Sequence, residues 1–203
     1  MNRATVVTEA LTLLDEVGLE TVSTRRLAKR LGVEQPSLYY HFKTKKDLLA
    51  AMAEVAMTPH ADAPLPSPED DWRDWFLQNA RSFRHTLLIR RDGARLHAGS
   101  TPTGDLDRIR RKIAFLVASG VPERDAQMAM LAVSRFTVGC VLEEQADADA
   151  DADADAPNAE DLPDDIPALD HKEAFEAGLA LILGGLDQRS TASDRAPDTP
   201  SPA

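Results

Sequence analysis

The sequence predicts an all-α protein in which a small N-terminal helix-turn-helix domain precedes a larger helical domain. Apolar residues recur at a helical period along most of the chain, and no strand pattern with an apolar face competes with them. Residues 24–38 place Ala, Gly and Leu at the steps a tight helix-turn-helix requires. A chain of 203 residues, 43% of them hydrophobic, can bury one substantial core, or a small domain attached to a larger one.

Each element has its own local reason. Val6, Ala10, Leu11, Leu13, Leu14 and Val17 fall close to a 3.6-residue period, and Gly18 follows where a helix-ending glycine belongs. Ser23 is placed to cap "TRRLAKRL", in which Leu27, Ala28 and Leu31 share a face before Gly32. Pro36 suits the first turn of a short third helix, with Leu38, Tyr39 and Phe42 as packing candidates. Thr44 and Asp47 resemble a capping box at the head of "KKDLLAAMAEVAM". Pro59, Pro64, Pro66 and Pro68 predict a stiff connection before "DDWRDWFLQNARSFRHTLLI". Further helices are expected at "IRRKIAFLVASG", at "ERDAQMAMLAVSRFTVGCVLEEQ" and from roughly Leu169 to Leu186. The domains read as residues 1–46 and 47–189, with 146–165 a disordered acidic loop and 190–203 a disordered tail.

Charge is unevenly spread. The formal net charge is −11, yet residues 1–50 hold eight Lys/Arg against six Asp/Glu. Residues 143–165 hold eleven acids and no base, so the acidity is largely one segment and does not exclude a nucleic-acid partner elsewhere. The single cysteine, Cys140, excludes an intrachain disulfide and a multi-cysteine zinc site. With neither a leader-like start nor a long apolar run, a cytoplasmic protein is expected. Nucleophile-elbow, phosphate-loop and zinc-ligand spacings are also lacking, which argues against an enzyme.

Counting from Thr24, Ala28 occupies the fifth position, where two helices approach closely. Gly32 is ninth, where the turn needs a positive φ, and Leu38 is fifteenth, facing the core. A helix starting near Gln35 then presents Gln35, Pro36, Ser37, Tyr39, Tyr40 and His41 toward a major groove. Gln bonds adenine bidentately, Ser and Tyr bond bases or phosphates, and Pro offers an apolar contact to thymine. Thr24, Arg25, Lys43, Lys45 and Lys46 flank this face, the basic ones supplying phosphate affinity. Double-stranded DNA is the expected partner.

The stretch "TVSTRRLAKRLGVEQPSLYYHFKTKKDLLAAMAE" resembles the DNA-binding domain of the TetR family, in particular its tetracycline-responsive members. "NARSFRHTLLIRRDGARLHAGSTPT" and "AVSRFTVGCVLEEQ" are similar to segments of that family's ligand-binding, dimer-forming domain. The resemblance implies a homodimeric repressor on a palindromic operator, contacted through positions matching Arg25, Gln35, Pro36, Ser37, Tyr39, Tyr40, His41 and Lys45. Ser37 and Tyr40 stand where those members have Thr and Trp, which implies a related operator and not an identical one.

It also implies release by a small-molecule inducer, a tetracycline–Mg²⁺ chelate or a related aromatic polyketide. His97 and Glu143 match the metal-binding positions, and Asn79 and Phe83 match drug-binding ones. Ser100, Thr101 and Pro102 lie in the matching "HAGSTP" segment, where Thr101 replaces a pocket Arg. Lys112 replaces a pocket Gln, and a pocket His falls at Ala61 with His60 beside it. These departures leave an unrelated inducer, or none, as the alternative. The dimer is expected to pair the helices around 123–144 and 170–186 of two copies, with Ala132, Gly139, Gly178, Gly184 and Gly185 allowing close approach.

Overall fold

The computed structural model describes residues 2–100, 106–151 and 170–193. Among these described residues, ten α-helices and one 3-10 turn make up the regular structure, and no strand occurs. In chain order the helices are α1 (Arg3–Val17), α2 (Thr24–Leu31), α3 (Gln35–Tyr39), α4 (Lys45–Ala56) and α5 (Thr58–Ala61). They continue with α6 (Trp72–Leu88), α7 (Gly93–Gly99), α8 (Leu106–Ala118), α9 (Glu123–Asp151) and α10 (His171–Ser193). The chain divides into two compact units, one drawn from Met1–Ala63, Ser82–Gly104 and Thr137–Leu169, the other from Pro64–Arg81, Asp105–Phe136 and Asp170–Ala203.

In the first unit, Val6, Ala10 and Leu14 of α1 are completely buried, as the period of that helix requires. They cluster with Val22, Leu27, Ala28, Leu38 and Phe42, and with Leu48, Ala51, Met52 and Ala53 of α4. The packing of the N-terminal head thus runs past residue 46 into the next helix. Each such Leu or Val contributes about 1.5–3 kcal/mol through removal from water. The capping box at α4 is formed in both directions: Thr44 Oγ1 accepts from the Asp47 N–H at 3.1 Å, and the Asp47 carboxylate accepts from the Thr44 N–H at 3.0 Å. Arg30 ties α2 to α1, its Nε donating to Glu9 at 2.9 Å and its Nη1 to Glu16 at 2.5 Å.

The N-cap of α7 is Asp92, the one non-glycine residue with positive φ (55°) among the described residues. Its buried carboxylate accepts from the Leu19 N–H at 2.7 Å and from Arg95 at 3.1 Å, fixing the start of α7 to the turn between α1 and α2. Asp92→Ala is therefore expected to destabilise the protein by about 2–4 kcal/mol, since it removes charge-assisted hydrogen bonds and puts Ala in a left-handed backbone. Asp92→Asn, which tolerates that backbone, should lose about half as much. Urea unfolding at constant m-value checks both, and equal losses would refute the argument.

The second unit buries Trp72, Phe76 and Ala80 of α6, Phe115 and Leu116 of α8, and Phe175 and Leu179 of α10. Trp75 meets Phe115 edge to face at 5.3 Å, and Phe136 stacks on Phe175 at 5.6 Å. Arg81 bonds Glu176 through two nitrogens, which ties α6 to α10.

Three expectations change. The acidic stretch begins as helix: residues 146–151 complete α9, and 152–165 lie outside the described residues. Alanine at alternate positions has the strongest helix propensity, and the preceding turns are anchored by tertiary bonds, so propagation wins over charge repulsion. Gln145 supplies that anchor, accepting from the Ala94 N–H at 3.2 Å and donating to the Arg90 carbonyl at 2.9 Å, while Asp149 pairs with Arg91 at 3.2 Å. The tail likewise begins as helix, with α10 continuing to Ser193; residues 194–203 lie outside the described residues. Pro59 opens the short α5, where its missing N–H has no cost.

Candidate DNA-reading head and inducer-contacting residues

The turn between α2 and α3 is built as its spacing requires. Gly32 is left-handed (φ 66°, ψ 30°) and its N–H bonds back to α2, Ala28 is 4% exposed and Leu38 2%. Burying Leu38 turns the other faces of α3 outward, so Pro36, Ser37, Tyr39 and Tyr40 are exposed. The Gln35 Nε2 donates to Thr24 Oγ1 at 2.9 Å and to the Tyr39 hydroxyl at 3.3 Å, which orients its amide. Tyr40 is 89% exposed and its ring stands edge-on to His41 at 5.5 Å. Both lie in the turn after α3, where the N–H groups of His41 and Phe42 bond the Leu38 carbonyl at 2.9 Å. Arg25, Lys43, Lys45 and Lys46 are exposed, and no ion pair among the described residues engages them.

The residues matched to an inducer fall into separate groups. In the first unit, the Phe83 ring lies between two imidazoles, 5.3 Å from His60 and 5.2 Å edge-on to His97. His60 Nδ1 also bonds Ser82 Oγ at 3.1 Å. Ser82 is a partner that sequence spacing left unmarked. Burial lowers the His97 pKa below its ordinary 6.5, so the ring is uncharged at neutral pH. Its Nδ1 is buried without a hydrogen-bond partner. Ser100, at the end of α7, is buried, and its hydroxyl donates to the His97 carbonyl at 2.9 Å.

In the second unit, Lys112 is buried and its Nζ donates to Asn79 Oδ1 at 2.6 Å. Burial, and then the charge of Arg108, push the Lys112 pKa from 10.5 down to about 8. Thr101 and Pro102 lie outside the described residues. Glu143 is exposed on α9. No group of three His, Cys, Asp or Glu side chains gathers to hold a metal among the described residues. An orphaned neutral imidazole still fits a hard cation that takes its other ligands from water and a chelating molecule. No helix among the described residues is long and apolar enough to cross a membrane.

Comparison with known proteins identifies both halves. Residues 6–52 match bacterial regulatory proteins of the tetR family, and residues 64–190 match the tetracyclin repressor-like C-terminal domain. The chain is 42% identical to tetracycline repressor protein class C of Escherichia coli, over 96% of this chain and 94% of that one. Among solved structures it is similar to a TetR-family transcriptional regulator from Streptomyces coelicolor (67% identity, TM-score 0.72, covering 92% of this chain and 98% of that one). It is also similar to class A TetR in complex with 5a,6-anhydrotetracycline and magnesium (41%, TM-score 0.72, covering 91% and 97%). The helix-turn-helix head and the helical C-terminal part are thus those of one known group, and the chain belongs to the TetR family of transcriptional regulators.

Proposed function

We propose that this regulator is a repressor that binds a palindromic operator as a homodimer in the cytoplasm and is released by a small molecule. The observation that carries the reading is the outward face of Pro36, Ser37, Tyr39 and Tyr40 beside the oriented Gln35 amide, flanked by Arg25, Lys43, Lys45 and Lys46. Polar groups there suit base edges, while the flanking cations suit phosphates. Thr24 positions Gln35, and His41 supports Tyr40. Dimerisation is supported by apolar side chains left exposed in the second unit: Leu181 is 79% exposed, Met128 52% and Leu131 42%.

The proposed inducer is a tetracycline–Mg²⁺ chelate or a related aromatic polyketide. Phe83 with His60 and His97 offers an aromatic wall, and Mg²⁺ would supply a positive charge shared by His97 and the drug's oxygens, with Glu143 as the acidic partner. Asn79, Ser100, Thr101, Pro102 and Lys112 are proposed contacts on the same resemblance. His97 sits near the end of α7 whose start is Asp92, the residue bonded to Leu19 in the head. A ligand that favours one placement of α7 therefore changes the free energy of head placement, and DNA affinity with it. Lys112 supports a second reading, an inducer of different chemistry, because a buried ammonium donates where a glutamine would both donate and accept.

The test begins with an operator selected from a random duplex pool, then measures its release by tetracycline with and without Mg²⁺. Release should require Mg²⁺, and His97→Ala should weaken it by more than the about 10–100-fold that loss of a metal ligand's supporting partner costs. Equal response in all four combinations would remove the chelate and leave the second reading. A protein that selects no duplex would remove the operator itself.

A further inference from the structure

The recognition segment ends at Phe42, which is 4% exposed, and one face of its ring carries a cation from another helix. The guanidinium carbon of Arg3, in the first turn of α1, lies 4.6 Å from the ring centroid. An aromatic face holds an arginine without consuming any of its five N–H donors and narrows the rotamers it samples. Arg30 in the same head shows the contrast, since two carboxylates of α1 already take its donors. Arg3 is exposed, and no carboxylate pairs with it among the described residues. Packing thus delivers a held, unneutralised charge to the end of the segment that bears Tyr39, Tyr40 and His41, adjoining Lys43 and Lys45.

A phosphate oxygen is recognised by a donor that is positively charged, exposed and already restrained, and Arg3 meets all three conditions. We infer that Arg3 is a further contact of the reading head with the DNA backbone, held for that purpose on Phe42. This rests on the DNA-binding reading. It adds affinity without adding sequence preference, because phosphates are common to all sequences.

The test measures affinity against salt concentration for the full-length protein on two duplexes, the operator selected by the wild type and one of unrelated sequence. Arg3→Gln should reduce the slope of log K against log salt by about 0.9 and weaken binding about five- to tenfold near 0.1 M salt, alike on both duplexes. Arg3→Lys should keep the slope, and Arg3→Glu should reduce it further. Arg3 is exposed, so these changes strip no core atoms, and melting curves verify that each variant is folded. An unchanged slope in Arg3→Gln overturns the inference. So does a loss confined to the operator, which would mark a base-reading contact. A wild type that retains neither duplex defeats the DNA-binding reading itself, a result distinct from a wild type that binds with a slope indifferent to Arg3.

Discussion

Replacing Gly93 by alanine should destabilise the protein by about 3 kcal/mol or more, the largest effect expected of a single added methyl group here. A Cβ at that position would stand 2.1 Å from the Leu87 carbonyl oxygen. The obstacle is backbone, so no rotamer change relieves it, and either the last turn of α6 or the start of α7 must shift. Either shift disturbs the Asp92 cap and the bond that the Ala94 N–H donates to Gln145. The same substitution at Gly99, where nothing lies within 4 Å of the added atom, should be nearly neutral. Urea unfolding of the two variants decides it, and comparable midpoints would show that α7 can move away from the Leu87 carbonyl at little cost.

Lys112→Met should stabilise the protein by about 1–3 kcal/mol at pH 7 and abolish a specific alkaline dependence. The folded state gives up the Lys112 proton near 8, whereas the unfolded chain keeps it to the ordinary 10.5. Between those values the unfolded chain binds more protons, so wild-type stability rises with pH across the window, by up to about 3 kcal/mol. Below pH 8 both states are protonated and the full cost of the buried ammonium persists. The variant's advantage should therefore be constant below pH 8 and shrink toward pH 10.5, less what Asn79 loses with its donor. Parallel stability profiles for the two proteins would refute the burial argument.

The helix-turn-helix was legible because its requirements are local and steric: Ala28, Gly32 and Leu38 each answer to one close approach, one positive φ and one buried site. The long helices were legible from period alone. α5 and α7 were not, since four and seven residues rich in Ala, Gly and Pro show no period to read. In "IRRDGARL" the Asp-Gly pair signals a turn, but nothing local says that its carboxylate reaches Leu19, 73 residues away. The alternation of Ala and Asp after Gln145 misled because composition is a weak guide once a neighbouring turn is anchored. Among the inducer candidates, resemblance named His97, Phe83, Asn79 and Lys112, yet the Lys112–Asn79 bond and the orphaned His97 nitrogen required coordinates.

The double engagement of Arg30 bears on how the N-terminal head can move. Sliding α2 against α1 would rupture two ionic bonds at once and open the cluster formed around Leu27. A displacement that reached the head through Leu19 would therefore turn α1 and α2 together instead of shearing one along the other.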